Sequence, residues 1–354
     1  MTRRALLAAA GALGLGGLAG CTGGNGPSGT TDGETPTGDG PPLADRSLYL
    51  GHDVETLIEN IVSGGVPQDG IPSVDDPQFQ PASEASLADG DPVFGVVRGG
   101  EAKAYPQSIL AHHEIVNDTV GGDAVAVTYC PLTGTAQGFE RGGVEFGVSG
   151  RLVNANLTMY DRATESWWPQ MVARAIQGPL QHEQLREFRV VWTTWGEWRA
   201  VHPDTAPLTE DTGYQRRYGD DPYGSYNPRG GYYANDRLLF DPLVRDDRAA
   251  PKRVVLGTRT ADGALTFDKQ SLLEREVLTG TIAGTDYVAV AEASLSTGYV
   301  YANPERLAVE SVDGGYRVDG ATHAADALPL TRSLAFDGMW FAWAGFYPEV
   351  PYVR

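Results

Sequence analysis

The chain is predicted to form a β-rich α+β fold built of two duplicated halves, each running hairpin, helix and further strands. Three observations predict it. Strand-like alternations outnumber helical ones along the globular part of the sequence. A long segment repeats: VFGVVRGGEAKAYPQSIL (Val93–Leu110) is answered by VVLGTRTADGALTFDKQSLL (Val254–Leu273). Turn-centred alternations then recur in each half, FERGGVEFGVSG in the first and VESVDGGYRVDG in the second.

Taken in order, each repeat opens on a candidate hairpin with a Gly turn and continues into a helix start. From Ser108 and Ser271 onward the register holds at an offset of 163. Leu110 then matches Leu273, Gly121 matches Gly284, Val125–Val127 match Val288–Val290, and Leu132 matches Leu295. The runs DAVAVTY and DYVAVAE read as buried strands. Tryptophan-bearing segments close each half, Met159–Gln170 and Asp337–Pro348. On this reading the N-terminal half spans 44–217 and the C-terminal, degenerate half 238–354. The polar Gly/Pro/Tyr segment between them, 218–237, is expected to be a long ordered loop over the surface.

Residues 1–20 read differently. Arg3-Arg4 precede a short apolar run that ends in Leu18-Ala19-Gly20-Cys21. That pattern is a twin-arginine export signal whose last four residues resemble a lipobox, with Cys21 as the lipidated residue. The alternative is an ordinary signal and a chance cysteine. Residues 21–43 are mostly Gly, Thr, Pro, Ser and acidic side chains, too poor in large apolar groups to fold, and read as a flexible tether. The expectation is an exported lipoprotein anchored to the outer face of the cell membrane through a lipid on Cys21.

The formal net charge is −19, or −21 once Arg3 and Arg4 leave with the signal. Lys103, Lys252 and Lys269 are the only lysines, so arginine supplies 24 of the 27 basic residues. An acidic, lysine-poor surface suits halophilic conditions, where charge repulsion is screened within about 3 Å. No basic stripe exists for nucleic acid, which excludes that class of partner.

If Cys21 carries lipid, Cys130 is the single free thiol and no internal disulfide can form. It ends an apolar run in VAVTYCPLTGTAQGF, just before a Pro/Gly turn. A lone cysteine there is either a small buried hydrophobe or a displayed nucleophile. The repeat favours the second, since the offset of 163 places Ala293 opposite Cys130 and Glu276 opposite His113. Within HHEIVND, His112 and His113 point about 100° apart, so only one can face the thiol. An imidazolium at His113 would favour the thiolate. Glu114 and Asp118 would orient the ring or solvate the helix. The Cys130 end should then open onto a cavity lined by His113, whereas the Ala293 end should be filled.

The stretches VPQDGIPSVDDPQF, AYPQSILAHHEIVNDTVGGDAVAVTYCPLTGTA, FGVSGRLVNANLTMYDRATESWWPQ and HPDT together resemble domain-of-unknown-function family 3179. Members of that family include proteins written with selenocysteine at the position of Cys130, which implies redox chemistry there. Many relatives have a second cysteine three residues on, where this chain has Thr133, and Trp where it has His112. The resemblance therefore implies His113 as the matching histidine and removes a resolving thiol. A cycle would run through a sulfenic acid or a mixed disulfide, resolved by an external thiol or electron donor.

Around this pair, Thr133, Arg151, Asn154, Asp161, Arg162 and Trp167 are candidates for substrate binding, as an Arg–Asp network beside aromatic walls. The alternative is a hairpin whose Asp161 and Arg162 stabilise its turn. No cofactor is expected on the redox reading. On the alternative reading, an extracytoplasmic copper or other soft-metal protein, Cys130, His113 and Met159, with His202 a further candidate, would supply the ligands. No metal spacing is strong, and His202 reads better as a helix cap. The blandest alternative is a non-catalytic cell-surface interaction protein in which Cys130 only packs.

Overall fold

The computed structural model describes residues 39–354. The export signal, Cys21 and most of the tether expected at 21–43 lie outside the described residues. Strands dominate and the helices are short, so the α+β, β-rich class stands. Among the described residues there are five four-stranded sheets and one three-stranded sheet. Among them, too, no helix is long and apolar enough to cross a membrane.

Two pairs of sheets share one plan. In the first pair, Val191–Thr194, Pro92–Arg98, Glu101–Pro106 and Ala206–Pro207 lie in that order. Ala335–Met339, Val254–Arg259, Ala264–Asp268 and Tyr352–Val353 follow the same order elsewhere. In both, the last strand joins in parallel and the other pairings are antiparallel. A glycine in each central strand lets a tryptophan lie on the backbone. A Cβ on Gly95 would stand 2.3 Å from the Trp198 ring, and one on Gly257 2.2 Å from Trp343.

In the second pair, Ile115–Val120, Asp123–Cys130, Thr135–Glu140 and Glu187–Phe188 correspond in order to Val277–Ile282, Thr285–Glu292, Thr297–Ala302 and Thr331–Ser333. A seven-residue helix precedes each, Gln107–His113 and Lys269–Arg275. Each helix ends on a glutamate in the left-handed region, Glu114 at φ 59° and Glu276 at φ 64°. That conformation turns the chain straight into the next strand while the cap N–H still bonds the helix, at Leu110 O and Leu272 O.

These pairings set the spacing at 162 residues, one fewer than the sequence register. Ile115 faces Thr128 as Val277 faces Val290, and Cys130 faces Thr135 as Glu292 faces Thr297. The slip arose because Val125–Val127 and Val288–Val290 are similar alternating runs, and a one-residue shift still overlays apolar on apolar. It matters because side chains change face with each residue. The position corresponding to Cys130 is Glu292, not Ala293, and the position of Glu276 corresponds to Glu114, not His113. The tryptophans also pair differently. Trp195 and Trp198 of the helix Trp195–Val201 correspond to Trp340 and Trp343 of Trp340–Phe346. Met159–Gln170 instead belongs to an additional sheet inserted between Thr135–Glu140 and Glu187–Phe188, where the second half inserts the smaller sheet Val309–Val312, Gly315–Val318 and Ala321–His323.

That additional sheet, Val62–Ser63, Phe146–Val153, Asn156–Asp161 and Trp167–Pro169, is packed against the end of the Cys130 strand. Its core is shared: Cys130, Leu157 and Trp168 pack in one cluster with Trp340, Trp343 and Phe346 of the C-terminal helix. A buried ion pair also joins the halves, Arg259 Nη2 to Glu187 Oε1 at 2.6 Å. Arg259 further bonds Met171 O and Tyr347 Oη, so its charge is well satisfied despite burial.

The segment 218–237 is an irregular, largely exposed stretch with one short 3-10 turn, Gly231–Ala234, but its tyrosines tie it to the core. Tyr218, Tyr232 and Tyr233 are buried. Tyr232 belongs to the same core cluster as Cys130, with Tyr223 and Tyr226 packed against it. Burying a side chain of this size stabilises by about 2–3 kcal/mol, which is enough to hold a polar segment down.

Candidate functional site

Cys130 ends its strand, and the Pro131–Gly134 turn, closed by Gly134 at φ 57°, sends the chain back as Thr135–Glu140. The turn does not display the sulfur. Cys130 is 1% exposed, with Sγ accepting from Leu157 N at 3.3 Å and lying 3.8 Å from Ala155 O. Burial pushes the thiol up to about 11, and the neighbouring Glu114 adds to the shift. Hydrogen bonds from Thr133 and Leu157 act against it. At neutral pH this sulfur is a thiol, not a thiolate.

The carboxyl that acts on its titration comes from the helix cap. Glu114 O accepts from Tyr129 N at 2.7 Å, which sets Glu114 beside the last residues of the Cys130 strand. Glu114 is 6% exposed and no protein group among the described residues hydrogen-bonds its carboxyl, yet its oxygens are not among the enclosed atoms that lack a partner, so they keep contact with solvent. Burial alone raises it to about 8. Tyr223 and Tyr232 cover the pair. Both phenols are pushed up, first by burial. Glu114 and then Cys130 add to this at Tyr223, and Cys130 adds to it at Tyr232.

The covering segment is fastened at several points. Tyr232 Oη donates to Leu132 O at 2.8 Å, and Tyr233 Oη contacts Tyr129 Oη at 3.2 Å. Lys252 Nζ donates to Tyr232 O at 2.5 Å and to Arg237 O at 2.7 Å, with the ammonium 3.3 Å from the centre of the Tyr232 ring. Burial pulls Lys252 down to about 8. Within the segment, Tyr232 N donates to Tyr223 O, which closes a compact loop.

His113 is elsewhere. Its Nδ1 donates to Pro72 O at 2.7 Å, so Nε2 accepts from Tyr218 Oη, also at 2.7 Å. Burial lowers its pKa, consistent with that neutral tautomer. His113 thus ties the helix end to two loops and does not meet the sulfur. The set Cys130, His113 and Met159 does not converge, although Met159 is buried in the same cluster as Cys130. His202 caps its helix and stacks on Trp198 at 4.1 Å. Among the described residues no group of three or more His, Cys, Asp or Glu is gathered for a metal.

The expected substrate-binding residues scatter for identifiable reasons. Arg162 pairs with Asp75 at 2.7 Å and Glu145 at 2.6 Å, pinning the segment before the first hairpin. Asp161 accepts from Thr164 N, Thr164 Oγ1 and Trp168 Nε1, which is the turn-stabilising alternative. Asn154 spans to Ala342 O and Leu243 N. Arg151 points to solvent from its strand, and half-buried Trp167 pairs with Tyr160. Thr133 alone belongs near the thiol. Its hydroxyl also enters a buried network with Thr135 and Asn156.

The cavity expectation is reversed. The end of the second half that was expected to be filled opens instead on a cavity of about 680 Å³, lined by Glu276, Glu292, Ala293 and Tyr316 among others. The Cys130 end is the closed one. The neighbours that the sequence does not place beside the thiol are Glu114, expected only to orient His113 or solvate the helix, and the tyrosines of 218–237. The available signal was composition: a solvated loop has no use for five tyrosines in 20 residues.

Comparison with curated proteins and with solved structures gives no match. A match is found with one protein family, described as proteins of unknown function (DUF3179), over residues 68–350. That span takes in both sheet pairs except the edge strand Tyr352–Val353, together with Cys130, Glu114 and the segment 218–237. The chain belongs to the DUF3179 family.

Proposed function

We propose that this is an exported, lipid-anchored redox protein whose working group is the Cys130 thiol, with Glu114 as its proton-handling neighbour. The observation that supports it most is the contrast between Glu114 and Glu276. Both close their helices in the same left-handed conformation, yet Glu276 is exposed and Glu114 is buried but for its solvent-touching carboxyl oxygens. The second half shows that the fold does not require this glutamate to be buried, and a carboxyl held largely out of water is costly unless it serves chemistry. It lies beside the single thiol of the described chain. In its ionised form, which gains as pH rises through about 8, the carboxylate can take the thiol proton as the sulfur reacts, which a packing cysteine would not need.

The resting state is closed and protonated, so reaction requires the 218–237 segment to move from the sulfur. Loss of burial would then lower the thiol pKa towards its ordinary value. With Thr133 in place of a second cysteine, oxidation of Cys130 by a peroxide or disulfide gives a sulfenic acid or mixed disulfide, which an external thiol reduces. Thr133, whose hydrogen bonds favour the thiolate, remains in the proposed site.

The two halves are read as duplicates, supported by the matching sheet orders, the two glutamate caps and the paired glycine–tryptophan contacts. In this reading only the first half keeps a reactive group, and Cys21 fixes it to the membrane face.

The test is intact-mass spectrometry of folded protein after dilute hydrogen peroxide with a sulfenic-acid trap. A single adduct on Cys130, slowed in Glu114→Gln, is expected. No adduct over hours, under conditions where the denatured chain reacts, would leave Cys130 as packing.

A further inference from the structure

The thiol has no open path to solvent, but a chain of oxidisable rings does reach it. Tyr226 lines two adjoining surface cavities, of about 380 and 220 Å³. Its ring centre is 5.1 Å from that of Tyr233, and Tyr233 is 5.9 Å from Tyr232. Tyr232 packs in the Cys130 cluster, and its phenol bonds Leu132 O, two residues along from the sulfur. A second branch starts from the same ring: Tyr226 to Trp192 at 4.5 Å, then Trp192 to Tyr129 at 5.5 Å, the residue bonded to Cys130. The branches also touch through the Tyr129 and Tyr233 hydroxyls.

Tyrosine and tryptophan are the aromatic side chains most readily oxidised by one electron, and these rings stand close to van der Waals spacing. Packing alone asks for large rings but not for oxidisable ones. Along both branches every ring is Tyr or Trp, with Phe94 lying to the side against Tyr129 and Trp192. A tyrosine must also shed its phenolic proton on oxidation, and Tyr233 has a base for it: its Oη donates to Asp221 Oδ2 at 3.3 Å.

We propose that these rings form a relay that passes single electrons between Cys130 and a one-electron carrier at Tyr226. This rests on the reading of Cys130 as the working group. The carrier takes one electron from Tyr226, and the vacancy is refilled inward through Tyr233 and Tyr232 or through Trp192 and Tyr129. The net step breaks the Cys130 S–H bond. The electron reduces the carrier, the proton passes to the ionised fraction of Glu114, which grows as pH rises through about 8, and a thiyl radical remains. An anionic carrier would dock at Arg229, which lines the larger cavity with Tyr226 and has no carboxylate partner among the described residues. Arg253 and Lys269 there are held by Asp268 and Asp337, and Glu197 and Asp337 line the smaller cavity.

The probe is hexachloroiridate(IV), an anionic outer-sphere oxidant, mixed anaerobically with the whole protein. Iridium reduction is followed optically and free thiol is counted after unfolding. In wild type, Cys130 thiol is lost as iridium(III) appears. In Tyr233→Phe/Trp192→Phe, which keeps the rings and cuts both branches, thiol loss slows roughly tenfold or more. In Cys130→Ala the radical remains on tyrosine and is seen by electron paramagnetic resonance. Equal thiol loss in wild type and the double variant, or no thiol loss in wild type, overturns the relay. Peroxide needs no relay, so a Cys130 adduct formed equally in both proteins shows that the thiol reading survives such a failure.

Discussion

Glu114 and Glu276 hold the same cap position on corresponding helices, at φ 59° and 64°, but only Glu114 lies buried, beside Cys130. The first consequence is a pH-dependent stability. Glu114 is raised from its ordinary 4.5 to about 8, so between those values the folded chain holds a proton that the unfolded chain releases. Its contribution is complete below about pH 4.5 and is lost as pH rises through about 8. The span corresponds to roughly 4–5 kcal/mol as an upper limit. Glu114→Gln removes the titration, so its urea midpoint is expected to hold between pH 5 and 9 relative to a falling wild type. Parallel pH profiles for the two proteins would contradict the buried carboxyl.

The thiol follows a second titration. Cys130 is raised from 9.0 to about 11, so its stabilising contribution is present below about pH 9 and lost as pH climbs through about 11. That rise lowers the thiolate fraction about 100-fold at neutral pH, and the covering tyrosines slow access further. Iodoacetamide should therefore modify folded protein at pH 8 at least about 100-fold more slowly than denatured protein. Tyr232→Ala, which removes part of the cover, should recover much of that difference. A folded wild type that alkylates as fast as the denatured chain would show the sulfur to be open.

His113 gives the opposite expectation from a catalytic residue. It makes two buried hydrogen bonds, to Pro72 O and Tyr218 Oη, each contributing about 1 kcal/mol. His113→Phe should lower stability by about 2–4 kcal/mol, because the partners are left unpaired in the interior. The alkylation rate of Cys130 in molecules that remain folded should not change. The depressed pKa adds a sign: the contribution is full above about pH 6.5 and is lost as pH falls through the lower folded value. Thiol reactivity that tracks His113 substitution would restore the imidazole to the site.

Most of the class and the position of Cys130 were legible from period and turn chemistry. Val125–Cys130 alternates, Pro131 and Gly134 break the strand, and the strand ends where the sequence said it would. The failures have one physical root. A single sequence shows which residues are apolar but not which of two adjacent side chains faces inward once a cap intervenes. The left-handed turn sets Glu114 on another face from His113, the packing around it, lacking at Glu276, buries it, and a slip of one residue in the repeat concealed the exchange. Arg162 and Asp161 looked like binding groups because ionic side chains beside tryptophan resemble a site. Only their distances to Asp75, Glu145 and Thr164 show that each is already occupied. The tyrosines of 218–237 were hidden by polar neighbours whose composition reads as loop.

The corresponding geometry of the two halves can be tested without reference to Cys130. Gly95 and Gly257 both lie under fully buried tryptophans, Trp198 and Trp343, so neither ring can retreat from an added methyl. At 2.3 and 2.2 Å the methyl overlaps the ring far inside contact distance, and either the strand or the helix carrying the tryptophan must shift. Overpacking of this kind costs about 1–3 kcal/mol or more. Gly95→Ala and Gly257→Ala are expected to destabilise by similar amounts, read as urea midpoints. Gly143, which has no atom within 4 Å of an added Cβ and no left-handed backbone, serves as the control and should tolerate alanine. Because the two halves share one core cluster, each substitution should also lower the cooperative transition of the whole folded unit, not release one half alone. A tolerated alanine at either position would mean that the two tryptophan contacts are not equivalent, and the correspondence of the halves would lose its firmest physical support.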